Sequence, residues 1–235
     1  MENSSIITID KLIKRFPVGK TEFTALNNIS VSFGAGEFAG LVGPSGSGKT
    51  TLLNIIGSLD SPSEGDVGVL GKAVSSLSHK ESAKLRNHHI GFIFQTYNLL
   101  PVYTVYENVE FALLLQKLSG SERRKAVMNA LEWVGLTDKV KSRPSMLSGG
   151  ECQRVAIARS MVKRPEIVLA DEPTANLDSK NSHHILQTMK NLNRELKTTF
   201  IFATHDEKVM KYLDRIISLE DGKIVRDELI PNSKS

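Results

Sequence analysis

Apolar and polar positions alternate along residues 28–33, with Ile29, Val31 and Phe33 on one face. Shorter apolar runs at 6–9 and 37–42 also read as strands, with "GAG" at 34–36 as a turn. The third strand, "EFAGLVG", runs into a glycine-rich loop and then a helix from about Gly48 to Leu59, which "DSPSEG" ends with Pro62 and Gly65. "DVGVL" and "IGFIF" return the chain to strand. From Thr104 to about Lys163 the rhythm becomes helical. "TVYE" is a capping box, Thr104 with Glu107, and a later helix carries Ala126, Val127, Ala130, Leu131 and Val134 before Gly135 stops it. Pro165 ends the next helix. Strand and helix then alternate: "EIVLAD", a helix from about Ser179 to Leu196, "TTFIFATH", a short helix, and a hairpin turning at Asp221-Gly222. The polar tail "IPNSKS" is expected to fray.

This succession is that of an α/β protein, and composition agrees. With 235 residues, 40% of them hydrophobic and 24% charged, the chain has room for one large α/β domain or a domain with an inserted lobe, and disordered and fibrous classes are excluded. The net charge of +4 is scattered with no block of like charges, which reads as a solvated surface rather than a nucleic-acid footprint. A single cysteine, Cys152, excludes an internal disulfide and fits a reducing compartment. "MENSSIITID" lacks the features of a secretory signal, and the apolar runs fall short of the roughly 20 residues of a membrane span, so work at a membrane would need another anchor.

The chemistry concentrates at loop and strand ends. "GPSGSGKT", residues Gly43, Pro44, Ser45, Gly46, Ser47, Gly48, Lys49 and Thr50, is a complete phosphate-binding loop between an apolar strand and a helix that continues with Thr51. Its glycines let the backbone wrap a polyphosphate, Lys49 reaches the β- and γ-phosphates, and Thr50 can ligate Mg²⁺. "IVLADE" places Asp171 at a strand end, where it can reach the same metal, and Glu172 next to it on the opposite face, suited to handling water. Gln95 and His205 each end a strand too: Gln95 is a candidate magnesium or water contact, and His205 is a candidate site residue by its place at the tip. The pairs His88-His89 and His183-His184 do not face one another on a helix and read as surface residues, and Trp133 reads as packing. A second anion-binding helix start, "LSGGECQRVAIAR", follows about a hundred residues after the loop.

These motifs together resemble the nucleotide-binding subunit of ATP-binding-cassette (ABC) transporters over nearly the whole chain: Walker A "GPSGSGKT", a Q-loop at Gln95, the signature "LSGGE", Walker B "IVLADE", a D-loop "NLD" ending at Asp178, and a switch histidine, His205. The resemblance implies one ABC ATPase domain over 1–235. Its parts would be a mostly parallel core with an antiparallel β subdomain from 1–95 and 164–235, and an inserted helical subdomain at 96–163. It also implies why two phosphate elements coexist: the signature of one subunit, Ser148, Gly149 and Gly150, would close on ATP held by the loop of another, in a reciprocal head-to-tail homodimer or a dimer with a related ATPase subunit. Ser47, Gly48 and Lys49 would hold phosphates, while Thr50, Gln95 and Asp171 would form the magnesium shell. Glu172 would be the base, His205 would hold the γ-phosphate and attacking water, and Asp178 would report across the dimer. Phe16, where Tyr is common, would stack on adenine. Within the family the sequence looks most like the lipoprotein-releasing and macrolide-exporter branch, near the cell-division group, which implies a separate integral membrane subunit, a cytoplasmic position on the inner face of the membrane, and no nucleic acid. A soluble cassette ATPase acting on DNA or ribosomes is the alternative. The lack of a long coiled coil between Gln95 and Ser148, and of a second cassette, opposes it. A phosphate-loop kinase or GTPase leaves "LSGGE" unexplained.

Overall fold

A computed structural model describes residues 5–230 of the chain. In chain order the elements are β1 (Ser5–Val18), β2 (Thr21–Gly34), β3 (Phe38–Val42), α1 (Lys49–Ile56), β4 (Glu64–Val69), β5 (Lys72–Ala73), α2 (His79–His89), β6 (Ile90–Ile93), α3 (Val105–Glu110), α4 (Gly120–Trp133), α5 (Gly149–Met161), β7 (Ile167–Asp171), α6 (Ser179–Leu196), β8 (Thr199–Thr204), α7 (Glu207–Met210), β9 (Arg215–Glu220) and β10 (Lys223–Leu229). One sheet is antiparallel, in the order β2-β1-β4-β5. The other runs β10-β9-β3-β8-β7-β6 and is parallel except where β10 folds back on β9.

The central strands read as unbroken apolar runs because both faces of the parallel sheet are covered. Along β8, Phe200 and Phe202 face one core with Val105, Leu131, Val155 and Ile185 of the helices. Ile201 and Ala203 face the other, with Leu52 and Ile55 of α1 and Phe33 of the antiparallel sheet. The helices α2, α3, α4 and α5 each start on a complete capping box: Ser78 with Glu81, Thr104 with Glu107, Ser119 with Glu122, Ser148 with Glu151. Each cap contributes on the order of 1 kcal/mol.

Several boundaries differ from the expectations. The first two strands run far beyond 6–9 and 28–33 and join in a hairpin at Gly19, whose φ is +62°. Register shifts between Ile9 and Arg15, with Lys11 at φ +49°, break the alternation that would have signalled this length. The first helix stops at Ile56, capped by Gly57, rather than at Leu59. α2 lay outside the expected elements, since only Leu85 on it is buried and it has no apolar stripe. The region 104–163 is three α-helices, with one 3₁₀ turn between α3 and α4 and two between α4 and α5. The tail expected to fray lies, after Ile230, outside the described residues.

Candidate functional site

Because β3, β8, β7 and β6 are parallel neighbours, their C-terminal ends open on one edge, and the segments after them converge there. The glycine loop follows β3, Gln95 follows β6, Asp171 ends β7 with Glu172 just after it, and His205 follows β8. These residues line one open cleft of about 440 Å³. Ser45, Gly46, Ser47, Gly48, Lys49, Thr50 and Thr51 form its floor, and Phe16, Phe23 and Ala25 of the β1–β2 hairpin form one wall.

The loop is built before any ligand arrives. Lys49 Nζ donates to the carbonyls of Gly43 and Pro44 at 2.7 and 2.8 Å, which holds its ammonium at the loop's centre. Burial lowers the Lys49 pKa, against the opposing pull of Glu172 and Asp171. Gly48 has φ +101°, and a Cβ there would sit 2.7 Å from the carbonyl of Ala25. Gly43, at φ +150°, would meet the Leu219 carbonyl at 2.1 Å. Gly222, in the β9–β10 turn, donates to Ser47 O at 3.2 Å and accepts from Asn27 N at 2.7 Å, so that turn backs the loop. The first-turn amides of α1 have no partner within a helix, as at any helix start, and they belong to cleft-lining residues.

Thr50 Oγ1 lies 3.1 Å from both carboxylate oxygens of Asp171, with Gln95 lining the same cleft. Burial raises the Asp171 pKa, partly offset by the Thr50 hydroxyl, so a cation there would relieve a desolvated carboxylate. This set of hard oxygens fits magnesium completed by phosphate oxygens, and among the described residues no cluster of three or more His, Cys, Asp or Glu side chains exists to suit another metal.

Glu172 has φ +45° although it precedes Pro173, a position that disfavours helical conformations. A left-handed non-glycine residue costs about 1–3 kcal/mol and persists only where its surroundings over-determine it. Here its amide donates to Ala203 O at 2.9 Å, Thr204 Oγ1 donates to Oε2 at 3.0 Å, and the His205 amide donates to Oε1 at 3.2 Å. His205 Nδ1 lies 2.5 Å from the same Oε1. The carboxylate is thus aimed into the cleft and paired with the histidine at the neighbouring strand tip.

Four expected residues lie elsewhere. Ser148 and Gly149 are exposed at the start of α5, and Gly150 there packs so closely that a Cβ would meet the Asn181 side chain at 2.6 Å. Asp178 caps α6 through the Asn181 amide at 2.9 Å. Signature and D-loop are therefore neighbours of each other and line no part of the cleft, although Asn176 of the D-loop donates to the carbonyl of cleft-lining Gln95 at 3.0 Å. Gly43 and Pro44 form the root of the loop rather than its lining. Phe23 and Thr204 were not foreseen. Phe23 is the cross-strand partner of Phe16, a pairing that only the hairpin register reveals. Thr204 is adjacent to His205 in "ATH" and could have been read as a hydroxyl at the same strand tip. The histidine pairs do not converge: His89 faces Glu166 at 3.1 Å and His183 contacts Tyr212. Trp133 packs partly buried, as expected.

Comparison with known proteins follows the same lines. The family model described as ABC transporter matches residues 26–175. The chain is 45% identical over 225 residues to an uncharacterised ABC transporter ATP-binding protein, YvrO, of Bacillus subtilis, covering 95% of this chain and 97% of that one. It is 43% identical over 228 residues to the macrolide export ATP-binding/permease protein MacB of Burkholderia pseudomallei, covering 97% of this chain but 35% of MacB, so it spans about a third of that relative's length. The fold matches the dimeric structure of MJ0796, a bacterial ABC transporter cassette, with TM-score 0.89 and 42% identity over 96% of this chain and 99% of that one. A dimeric post-hydrolysis state of MJ0796 bound to ADP and Pi matches with TM-score 0.88, 41% identity and the same coverage. The chain belongs to the ABC transporter family. It is an ATP-binding cassette of that family and hydrolyses ATP.

Proposed function

We propose that two copies of the chain close head to tail around two ATP molecules with Mg²⁺ and drive a separate integral membrane subunit from the inner face of the membrane. The observation that carries this is the division of the site: the cleft gathers loop, carboxylates, Gln95 and His205, while the second phosphate-binding helix start stands exposed outside it. A helix N-terminus carrying a hydroxyl and two glycines suits a γ-phosphate presented by another copy. In this reading Ser148, Gly149 and Gly150 act in trans, and Asp178, beside them, meets the partner copy.

Lys49 and the loop amides hold the β- and γ-phosphates, and Phe16 and Phe23 cover the base. Thr50, Gln95 and Asp171 would hold magnesium, which would supply charge neutralisation to the phosphates when bound. Glu172 accepts the proton of the attacking water, and His205 fixes that carboxylate and the γ-phosphate in line. The helical subdomain at 96–163 moves relative to the parts at 1–95 and 164–235 as the dimer closes.

Among the described residues no helix is long and apolar enough to cross a membrane. Beside Gln95 lies a groove of about 450 Å³, lined by Leu59, Phe92, Phe94 and Phe111 together with the cations Arg86, Arg159 and Lys163. Burial lowers the Lys163 pKa to about 8. An amphipathic helix of the membrane subunit, bearing a carboxylate, suits that lining. Likeness to the macrolide export protein MacB supports an export system, and we further propose an export or lipoprotein-release system in which ATP-driven closure is passed on as mechanical motion.

The test is E172Q. Sized with ATP and Mg²⁺ it should elute as a dimer, and its hydrolysis should fall by roughly 10²–10⁴-fold, the usual contribution of a general base. A persistent monomer at saturating ATP would remove the two-copy reading. Capture of E172Q with ATP from detergent-solubilised membranes should recover a membrane protein of few spans; a many-span permease would redirect the choice of system.

A further inference from the structure

α5 does more than carry the signature at its first turn. One turn along, Gln153 is fully buried and its Nε2 donates to the carbonyl of Pro173 at 2.6 Å. Its Oε1 has no partner among the described residues, and neither has the hydroxyl of buried Thr174 next to Pro173. A buried amide that satisfies only its donor is a costly choice for packing alone, where an apolar side chain would leave nothing unpaired. The carbonyl it grips belongs to the residue that follows Glu172, the one held at φ +45°. Pro173 itself has no N–H with which to anchor that turn.

We propose that Gln153 is a positioning residue for the general base: it pins the backbone just after Glu172 and so holds the carboxylate in its left-handed, cleft-facing conformation. Because Gln153 and Ser148 ride on the same helix, the seating of the signature on the partner's nucleotide is transmitted to this chain's own base. The two hydrolytic sites of the dimer are thereby coupled through a single side chain. This rests on the roles of Glu172 and of the two-copy site proposed above.

Q153M keeps the helix and the volume but removes the donor. Its kcat should fall about tenfold, with KM and the nucleotide Kd within twofold of the parent, and the Hill coefficient for ATP should drop toward one. An unchanged kcat overturns the proposal. Mixed dimers then separate positioning from shape. With Q153M on the chain that has the only intact Glu172 and E172Q on the other, turnover should be about tenfold below that of a parent/E172Q pair. With Q153M and E172Q on the same chain, the working base keeps its own Gln153, and turnover should stay within twofold. The reverse pattern would assign Gln153 to the shape of the signature helix and overturn the positioning role. If ATP assembles neither pair, the two-copy reading is the one that fails, and the kcat of Q153M alone still decides the matter. Should Q153M not fold, Q153N, whose amide is one methylene too short to reach Pro173, takes its place under the same readouts.

Discussion

The two phosphate-binding elements of this chain share a chemistry and differ in their surroundings. The loop at 43–50 is closed in by Ala25, Leu219 and the turn at Gly222, and its lysine is already held at the centre. The helix start at Ser148 rests on its own capping box, on the flank of α6 and on Tyr97 beside Gly149, and leaves Ser148 and Gly149 exposed. One element is preorganised by the chain that carries it, and the other is presented outward. A residue's contribution to nucleotide affinity is thus separable, in this protein, from its contribution to turnover.

Substitutions can break or sharpen that contrast. K49A should have the largest effect on binding: each charge-assisted hydrogen bond lost is worth about 1.5–3 kcal/mol, roughly 10- to 150-fold in Kd, read by calorimetry on dilute chain. Affinity within threefold of the parent would deny the loop its role. S148A should leave that monomer affinity unchanged while turnover falls roughly tenfold, about 1.4 kcal/mol of transition-state stabilisation. The lost cap should also cost about 1 kcal/mol of stability by urea titration. A matching loss of monomer binding would place Ser148 in its own chain's site. F16A should weaken binding by about 0.5–1.5 kcal/mol through lost stacking, and F23A by less, in the same calorimeter. An F23A effect larger than that of F16A would reverse the assignment of the wall.

The smallest effect should appear in acid. Hydrogen bonds from their own cap residues hold Glu81, Glu107, Glu122 and Glu151 below the usual value of about 4.5. A depressed carboxylate contributes stability above its unfolded pKa and loses it as pH falls through the folded one. The urea midpoint should therefore hold from pH 7 to about 5 and decline below about 4.5. A midpoint that stays level to pH 3 would show that the boxes do not stabilise the folded chain.

Much of this was legible in the residues. The glycine loop, "IVLADE" and "LSGGE" are local patterns whose spacing carries their chemistry, and the capping box at Ser148 follows the same rule as that at Thr104. What escaped depends on register. Phe23 joins Phe16 only because β1 and β2 pair through a hairpin whose bulges hide its length. α2 escaped because a helix with one buried residue shows no stripe, although Ser78 and Glu81 marked its start. The grip of Gln153 on Pro173 spans 20 residues and two elements, with no period to announce it.

The turn at Gly222 has a consequence for biosynthesis. A ribosome makes the phosphate loop well before the β9–β10 turn that backs it, so a nascent chain holds every residue of the Walker A motif before it holds the wall those residues rest on. A chain released short of that turn should therefore gain less stability from ATP than one that includes it. Tight nucleotide binding should thus report a chain that has been made through the β9–β10 turn.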